Sequence, residues 1–428
     1  MSNIILKRIY YAIDVELASP LNTSSGISEY TDKDILMSST GEFFVPGTSI
    51  AGALRARLEK SDKERITGYS DSEKGKMSSL YISDLYFNTG GVKSVRDGVK
   101  LADEKTVENK FDMEVLETGS CGTIYLNYVL REKDDDREDI IKTLMADIQD
   151  GYIRFGANKN RGYGKMSVKK IYRQEFSRDN IDDFLEFDAK NTEKYEKCSD
   201  YTSWLEDGVN QSNDYVKINI PLVLTGGISI RKYSARPNEA DFEQITISIK
   251  DENGNPKPVV PGTSWSGAIR SNILSTLKEL GDSDAQKHVD QWFGFVDLEK
   301  KDAKQSIIAI GESIIENSRP LTMTRNKINR FDASTTDGAL YTEKSYFGGE
   351  TTLSIMIKKD EGCHYEALIG VLQIVIKDIQ NGYIAIGGQT AVGRGIFKAD
   401  NKKSVEYENA INEKVYSEAL YTFLMGDR

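Results

Sequence analysis

Apolar residues recur along this chain at two spacings, and the order in which those spacings alternate predicts its architecture. Residues 5–17 alternate apolar with polar and are rich in Ile, Tyr and Val, and 215–224 (YVKINIPLVL) do the same, so each predicts a strand buried on one face. A small-residue turn (SGIS at 25–28, GGIS at 226–229) and a polar loop follow each strand. Helical spacing comes next: Ile50, Ala53, Leu54 and Leu58 in the first stretch, Trp265, Ala268, Ile269 and Ile273 in the second. Thr48 and Thr263 stand where these helices would take an N-terminal cap. Strand-like segments at 80–87 and 123–130 are matched by 307–315 and 352–357. A second helix carries Ile140, Ile141, Leu144, Met145 and Ile148, against Leu368, Val371, Leu372, Val375 and Ile379. Gly151 and Gly382 then suit a left-handed C-cap, and Tyr-Ile opens a closing strand. The order is βαββαβ, twice, which predicts an α+β chain of two tandem ferredoxin-like (RRM-like) domains.

The duplication is also written in letters. Residues 45–55 read VPGTSIAGALR and 260–270 read VPGTSWSGAIR; 147–153 read DIQDGYI and 378–384 read DIQNGYI. A third, ungapped pair sets Arg96, Val99, Glu114 and Gly119 against Arg325, Ile328, Glu343 and Gly348. Chance matches would not keep their order, so one module occurs twice. The expected organisation is a first domain at 1–175, an acidic linker at 176–213 with a short helical piece at 181–187, a second domain at 214–400, and a C-terminal helical extension at 401–428.

Composition narrows the chemistry. A chain of 428 residues, 39% hydrophobic, can bury two cores. Its net charge of −11 disfavours nucleic-acid binding by the chain as a whole, so local patches decide that question. Cys121, Cys198 and Cys363 are too widely spaced for a disulfide framework or a CxxC zinc site and fit a reducing, cytoplasmic setting. No stretch has the apolar length of a membrane span, the opening residues do not read as a secretory signal, and no Walker-type phosphate loop occurs. The only histidines, His288 and His364, lie near no candidate nucleophile, which disfavours histidine-based ribonuclease chemistry.

Three features carry candidate chemistry. A turn delivering Gly47, Thr48 and Ser49, or Gly262, Thr263 and Ser264, to a helix start would expose free N–H groups to a phosphate, with Arg55 and Arg270 near by. Gly52 and Gly267 would leave room for a sugar-phosphate strand; equally, they could permit close helix–sheet packing. Glycine-rich segments at 155–165 (FGANKNRGYGK) and 386–398 (IGGQTAVGRGIFK) superpose as Gly156/Gly387, Gly162/Gly393 and Gly164/Gly395, with Gly388 beside them. They could bring backbone amides to an extended strand, with Tyr163 or Arg394 stacking or pairing at its edge, or could simply serve the loop's own turns. Residues 151–173 hold seven cations (Arg154, Lys159, Arg161, Lys165, Lys169, Lys170 and Arg173) and no acid, a local basic stripe suited to an RNA backbone. Finally, YTDKDIL (30–36) and ADFEQIT (240–246) put an aspartate ahead of each VPGTS element. Such a carboxylate could bind Mg²⁺ or position a ribose 2′-OH; it could equally organise a turn.

At these residues the chain resembles the RAMP superfamily of CRISPR proteins, whose domains begin a helix with IPGSSLKGxLR-type sequences and carry a glycine-rich loop before the last strand. Trp292-Phe293-Gly294 and 325–341 (RNKINRFDASTTDGALY) echo further family motifs. Within that superfamily it is most similar to backbone subunits of type III effector complexes, in particular the fused double-backbone proteins of type III-D systems. The resemblance implies RAMP domains that grip guide RNA (crRNA), with thumb-like insertions at 100–109 and 329–337 that kink the guide–target duplex. It implies metal-dependent cleavage of target RNA supported by Asp32, with Asp34 as substitute, and by Asp241, using Mg²⁺ or Mn²⁺ and no zinc. Asp32 and Asp34 remain alternatives, because the first copy's turn is one residue short. Arg96, Arg231 and Arg325 join the expected RNA contacts, and other type III subunits are the expected partners. A non-catalytic guide-binding scaffold, or an endoribonuclease maturing the guide transcript, are the alternatives.

Overall fold

The structure is a computed structural model that describes residues 4–26, 29–70, 75–88, 91–101, 107–191, 198–205, 214–233, 240–297, 301–336 and 338–426. It divides into two compact units, the first Met1–Lys159 with Tyr163–Ser212, the second Asn213–Arg428 together with Asn160–Gly162.

The first unit is organised by β1 (Ile5–Leu17), whose alternate residues Ile9, Tyr11, Ile13, Val15 and Leu17 are buried. After it come α1 (Gly47–Arg57), β2 (Leu80–Ile82), β3 (Cys121–Arg131), α2 (Glu138–Asp150) and β4 (Met166–Phe176). β1 pairs antiparallel with β4 on one side and β3 on the other, and β2 flanks β3. Of these four strands in chain order, the sheet therefore runs fourth, first, third, second. Ile50 and Leu54 of α1 and Ile141, Leu144, Met145 and Ile148 of α2 share one core with β1, as their spacing predicts.

The second unit repeats this order with β5 (Tyr215–Thr225), α3 (Gly262–Glu279), β6 (Ile308–Ile310), β7 (Glu350–Lys358), α4 (Tyr365–Asn381) and β8 (Ile396–Ala399). Again every pairing in the four is antiparallel. Gly151 and Gly382 take the left-handed conformation at the ends of α2 and α4, both at φ 80°. The C-terminal extension forms α5 (Glu413–Gly426), which lies so close to α4 that a Cβ on Gly370 would sit 2.3 Å from the Tyr416 carbonyl oxygen.

Two local expectations are revised. Thr48 and Thr263 do not cap their helices: Pro46 and Pro261 precede the first helical residue, and neither α1 nor α3 has a side-chain cap from its own N-cap position. Proline's fixed φ, here −56° and −58°, presets the chain for helix entry, and its carbonyl accepts the first intrahelical bonds. The Gly47 amide is instead capped by the Asp84 carboxylate at 2.7 Å. Nor does the described part of the expected linker at 176–213 stand apart from the first unit. Phe184 and Phe187 pack on Tyr10 and Phe176, Ser199–Asp200 adds a strand beside β4, and Tyr201, Trp204 and Leu205 pack against the first core. Aromatic residues dispersed among acids supply that docking surface.

Each unit also extends a ribbon of two antiparallel strands between its second and third sheet strands: Lys93–Leu101 with Val107–Leu116, which stand as a two-stranded sheet, and Arg319–Arg325 with Tyr341–Phe347, which belong to a five-stranded one. The segments expected to act as thumbs, 100–109 and 329–337, fall within these spans. Residues 102–106 and Asp337 lie outside the described residues.

Candidate nucleic-acid interface

The two aspartate-bearing loops dock on the ribbons in the same manner. Asp32 Oδ2 accepts the Asp112 amide at 3.0 Å, and the Asp32 amide returns a bond to Asp112 Oδ1 at 2.9 Å. In the second unit Asp241 Oδ2 accepts the Thr342 amide at 2.7 Å. Both aspartates are exposed, and both spend an oxygen on the returning ribbon strand. Asp34 behaves differently. It is buried, and its carboxylate accepts the amides of Glu29, Tyr30 and Thr31 and the Thr31 hydroxyl. Burial alone would raise its pKa, but these bonds outweigh it and hold the carboxyl down to about 2. Asp34 thus shapes the turn that presents Asp32.

The glycine-rich loops are built alike. Ala157 N donates to Asn22 O and Gly388 N to Ser229 O; Gly164 N donates to Pro20 O and Gly395 N to Gly227 O. Gly164 and Gly395 have φ of 74° and 71°, and a Cβ on either would fall 1.8 Å from a carbonyl oxygen of its own loop. Gly156 faces the Asn22 carbonyl, and Gly387 and Gly388 face the Ser229 carbonyl, with the Ile230 side chain against Gly387 as well, so these five glycines serve packing first. Gly393 is different: at φ 80° a Cβ there would meet nothing within 4 Å among the described residues. Gly162 is also left-handed, at φ 92°, directly after the short turn Lys159–Arg161, where Arg161 is exposed and burial lowers the Lys159 pKa.

On the helices, Gly52 and Gly267 are exposed and open to 4 Å among the described residues, which argues against a helix–sheet packing role. Gly47 and Gly262 are buried, whereas Thr48 and Ser49 are exposed and Thr263 and Ser264 half-buried. Arg55 and Arg270 are both engaged within their own units. Arg55 holds Gly68 O at 3.0 Å and the Thr67 hydroxyl, and Arg270 pairs with Asp290. The basic stripe is partly neutralised too: Arg173 pairs with Glu138 and Glu175, and Lys169 with Glu16.

The strongest charge cluster surrounds Glu343. Arg325, Arg394 and Arg231 approach its carboxylate at 3.3, 3.6 and 3.7 Å, and Gln389 Nε2 donates to it at 2.8 Å. Arg231 lies over the Phe242 ring and Arg394 over Phe347, each at 4.5 Å, which fixes both guanidinium planes. In the first unit Lys93 pairs with Glu114 at 2.7 Å and Arg96 with Glu117 at 2.9 Å. The ribbons differ in register: Val95 faces Glu114, whereas Met323 faces Glu343, one residue away from the ungapped match. A one-residue slip exchanges strand faces, so Arg96 and Arg325 reach different glutamates. Sequence reasoning had marked Arg231, Arg325 and Arg394 separately; what it lacked was their convergence, for which the buried, repeated Glu343 was the available signal. It also passed over Phe331, which stands wholly exposed on the second ribbon's tip. That tip is ordered by bonds from Asn329 N to Ser334 O (2.9 Å) and from Thr336 N to Lys327 O (2.9 Å).

Among the described residues no group of three His, Cys, Asp or Glu side chains is placed to hold a metal. Asp32 and Asp241 are each the exposed aspartate of their loop, a donor that suits an ion completed by phosphate oxygens and water, not a cage made by the protein alone. No helix among the described residues is long and apolar enough to cross a membrane. The RAMP superfamily model matches residues 14–167 and 220–398, one stretch in each unit. No curated protein matches the chain.

Proposed function

Because the chain belongs to the RAMP superfamily, a family of CRISPR-associated RNA-binding proteins, we propose that it is a guide-RNA-binding backbone subunit of a type III effector complex, most like the type III-D double-backbone proteins. Its two units are read as tandem ferredoxin-like RAMP domains, a reading supported by the shared strand order. In this proposal the subunit cleaves complementary target RNA beside its two ribbons, and other type III subunits complete the complex. The observation that carries it is the equivalent placement of Asp32 and Asp241, each exposed and each tied to a ribbon amide.

Either carboxylate is suited to orienting a ribose 2′-OH toward the adjacent phosphorus or to holding one Mg²⁺ or Mn²⁺. Such an ion would stabilise charge developing on the phosphate oxygens. Attack by the 2′-oxygen breaks the bond to the 5′-oxygen, leaving a 2′,3′-cyclic phosphate and a 5′-OH, with the proton passing from the nucleophile to the leaving group by way of base and solvent. Gly393, Arg161, the exposed helix face at Thr48, Ser49 and Gly52, and the Glu343 cluster are the surfaces assigned to the guide backbone.

The second reading, a non-catalytic scaffold, is favoured by the same hydrogen bonds, since they could serve only to clamp loop to ribbon. Asp32→Asn and Asp241→Asn separate the two, because asparagine keeps a carbonyl acceptor for the ribbon amide but lacks the charge. Assembled complex carrying either variant should lose one target-RNA product band while retaining the other. Unchanged bands in both variants would remove the catalytic role and leave the scaffold. Guide-transcript processing gains no support: His288 is buried, paired with Asp282 at 2.9 Å and packed on Phe423.

A further inference from the structure

The duplicated units are not electrostatically equivalent. In the first, Lys93 pairs with Glu114 and Arg96 with Glu117, one carboxylate to each cation, so these two pairs are neutral. In the second, three arginines share one carboxylate, leaving two positive charges in excess. The loop position held by Arg394 is held by Tyr163 in the first unit, where it packs with Met113 and Val115. Another shared position differs in the same sense: Gln389 donates to Glu343 at 2.8 Å, whereas Asn158 Nδ2 donates to the Met113 sulfur at 3.4 Å.

The arginine cluster also has donors to spare. A guanidinium carries five N–H groups. Arg394 Nε is buried with no hydrogen-bond partner among the described residues, and none of the three arginine–Glu343 approaches has hydrogen-bond geometry. Glu343 and Arg394 form the floor, with side chains 2% and 9% exposed, while Arg231 and Arg325 are 30% and 33% exposed and open to a ligand. Phe242 and Phe347 hold two of the guanidiniums in fixed planes, so little ordering remains to be done on binding.

We propose that Arg231, Arg325 and Arg394 around Glu343 form a preorganised clamp for a single phosphate group, that an RNA phosphodiester is its ligand, and that the first unit has no equivalent. This rests on the RNA-binding reading above and adds to it that the two units grip the strand unequally. Arg231 and Arg325 make the outward contacts, Arg394 supplies charge and position from beneath, and Glu343 keeps the three cations together when no anion is bound.

The test uses the full chain and a single-stranded RNA of guide length, with affinity measured across a salt series for wild type, Arg231→Gln, Arg325→Gln and Lys93→Gln. Each phosphate contact on a single strand contributes about 0.7 to the slope of log K against log salt. Arg231→Gln and Arg325→Gln should each lower the slope by up to about that amount, while Lys93→Gln leaves it unchanged. Wild-type slopes in both arginine variants would overturn the clamp while leaving RNA binding intact, and an equal fall in Lys93→Gln would overturn the asymmetry. A wild-type protein with no salt-sensitive affinity would overturn the RNA reading itself. Should Arg325→Gln fail to fold, Arg231→Gln decides the matter. Inorganic phosphate, compared with chloride at equal ionic strength, separates the two phosphate sources. Competition with RNA only well above millimolar phosphate fits a phosphodiester ligand, and competition at micromolar phosphate would overturn that assignment.

Discussion

Replacing Gly395 by alanine tests whether the glycine-rich loop is held by backbone packing, and Gly393→Ala supplies the internal control. At Gly395 the added Cβ would lie 1.8 Å from Ile386 O, so that separation must roughly double to reach ordinary van der Waals contact. The movement would strain the bonds from Ile386 N to Gly395 O and from Gly395 N to Gly227 O, both 2.8 Å. Losing them costs about 1 kcal/mol each, and left-handed backbone at φ 71° costs alanine about 1–2 kcal/mol more. The sum, about 3–4 kcal/mol, is a large share of the roughly 5–15 kcal/mol that keeps a domain folded. Gly393→Ala has the left-handed penalty alone, since its Cβ meets nothing within 4 Å among the described residues. Urea unfolding followed by tryptophan fluorescence reads the second core through buried Trp265 and Trp292, and the first through Trp204. Gly395→Ala should shift the second transition strongly, and Gly393→Ala only slightly while weakening RNA affinity. Equal shifts for the two variants, or a Gly395→Ala shift worth less than about 1 kcal/mol, would refute the reasoning.

Other outcomes follow from single residues. The Asp34 carboxyl, whose burial would raise it but whose hydrogen bonds lower it to about 2, contributes stability that is fully present above the ordinary carboxylate pKa of about 4 and lost as pH falls through about 2. The stability difference between wild type and Asp34→Asn should therefore shrink between about pH 4 and pH 2; a difference constant across that window would contradict the role given to its charge. At Gly370, alanine would force α5 away from α4, because its Cβ would lie 2.3 Å from Tyr416 O. Hydrogen exchange should then quicken across Glu413–Gly426 while β5 and β7 keep their protection, and unchanged exchange in the helix would show that the contact is not tight.

The buried faces of β1, α2 and α4 were legible because they follow regular periods that survive in a single sequence. The docking of 176–205 was not, because Phe184, Phe187, Tyr201 and Trp204 are scattered among acids with no period to reveal a shared face. In the candidate site, the repeats located both aspartate loops and both glycine loops, but residue type alone does not say where a guanidinium points. Arg55 and Arg270 turn to Gly68 and Asp290, whereas Arg231, Arg325 and Arg394, dispersed along the second half of the chain, converge on Glu343. The ribbon registers show the same limit: an ungapped match between Arg96 and Arg325 hides a one-residue slip that only strand pairing discloses.

The most direct test of the account is the affinity of the intact protein for a guide-length single-stranded RNA, measured by fluorescence anisotropy in rising salt. The account predicts tight association at low salt and a log K that falls linearly with log salt, with a slope corresponding to several phosphate contacts. No measurable association at low salt, or an affinity indifferent to salt, would contradict it.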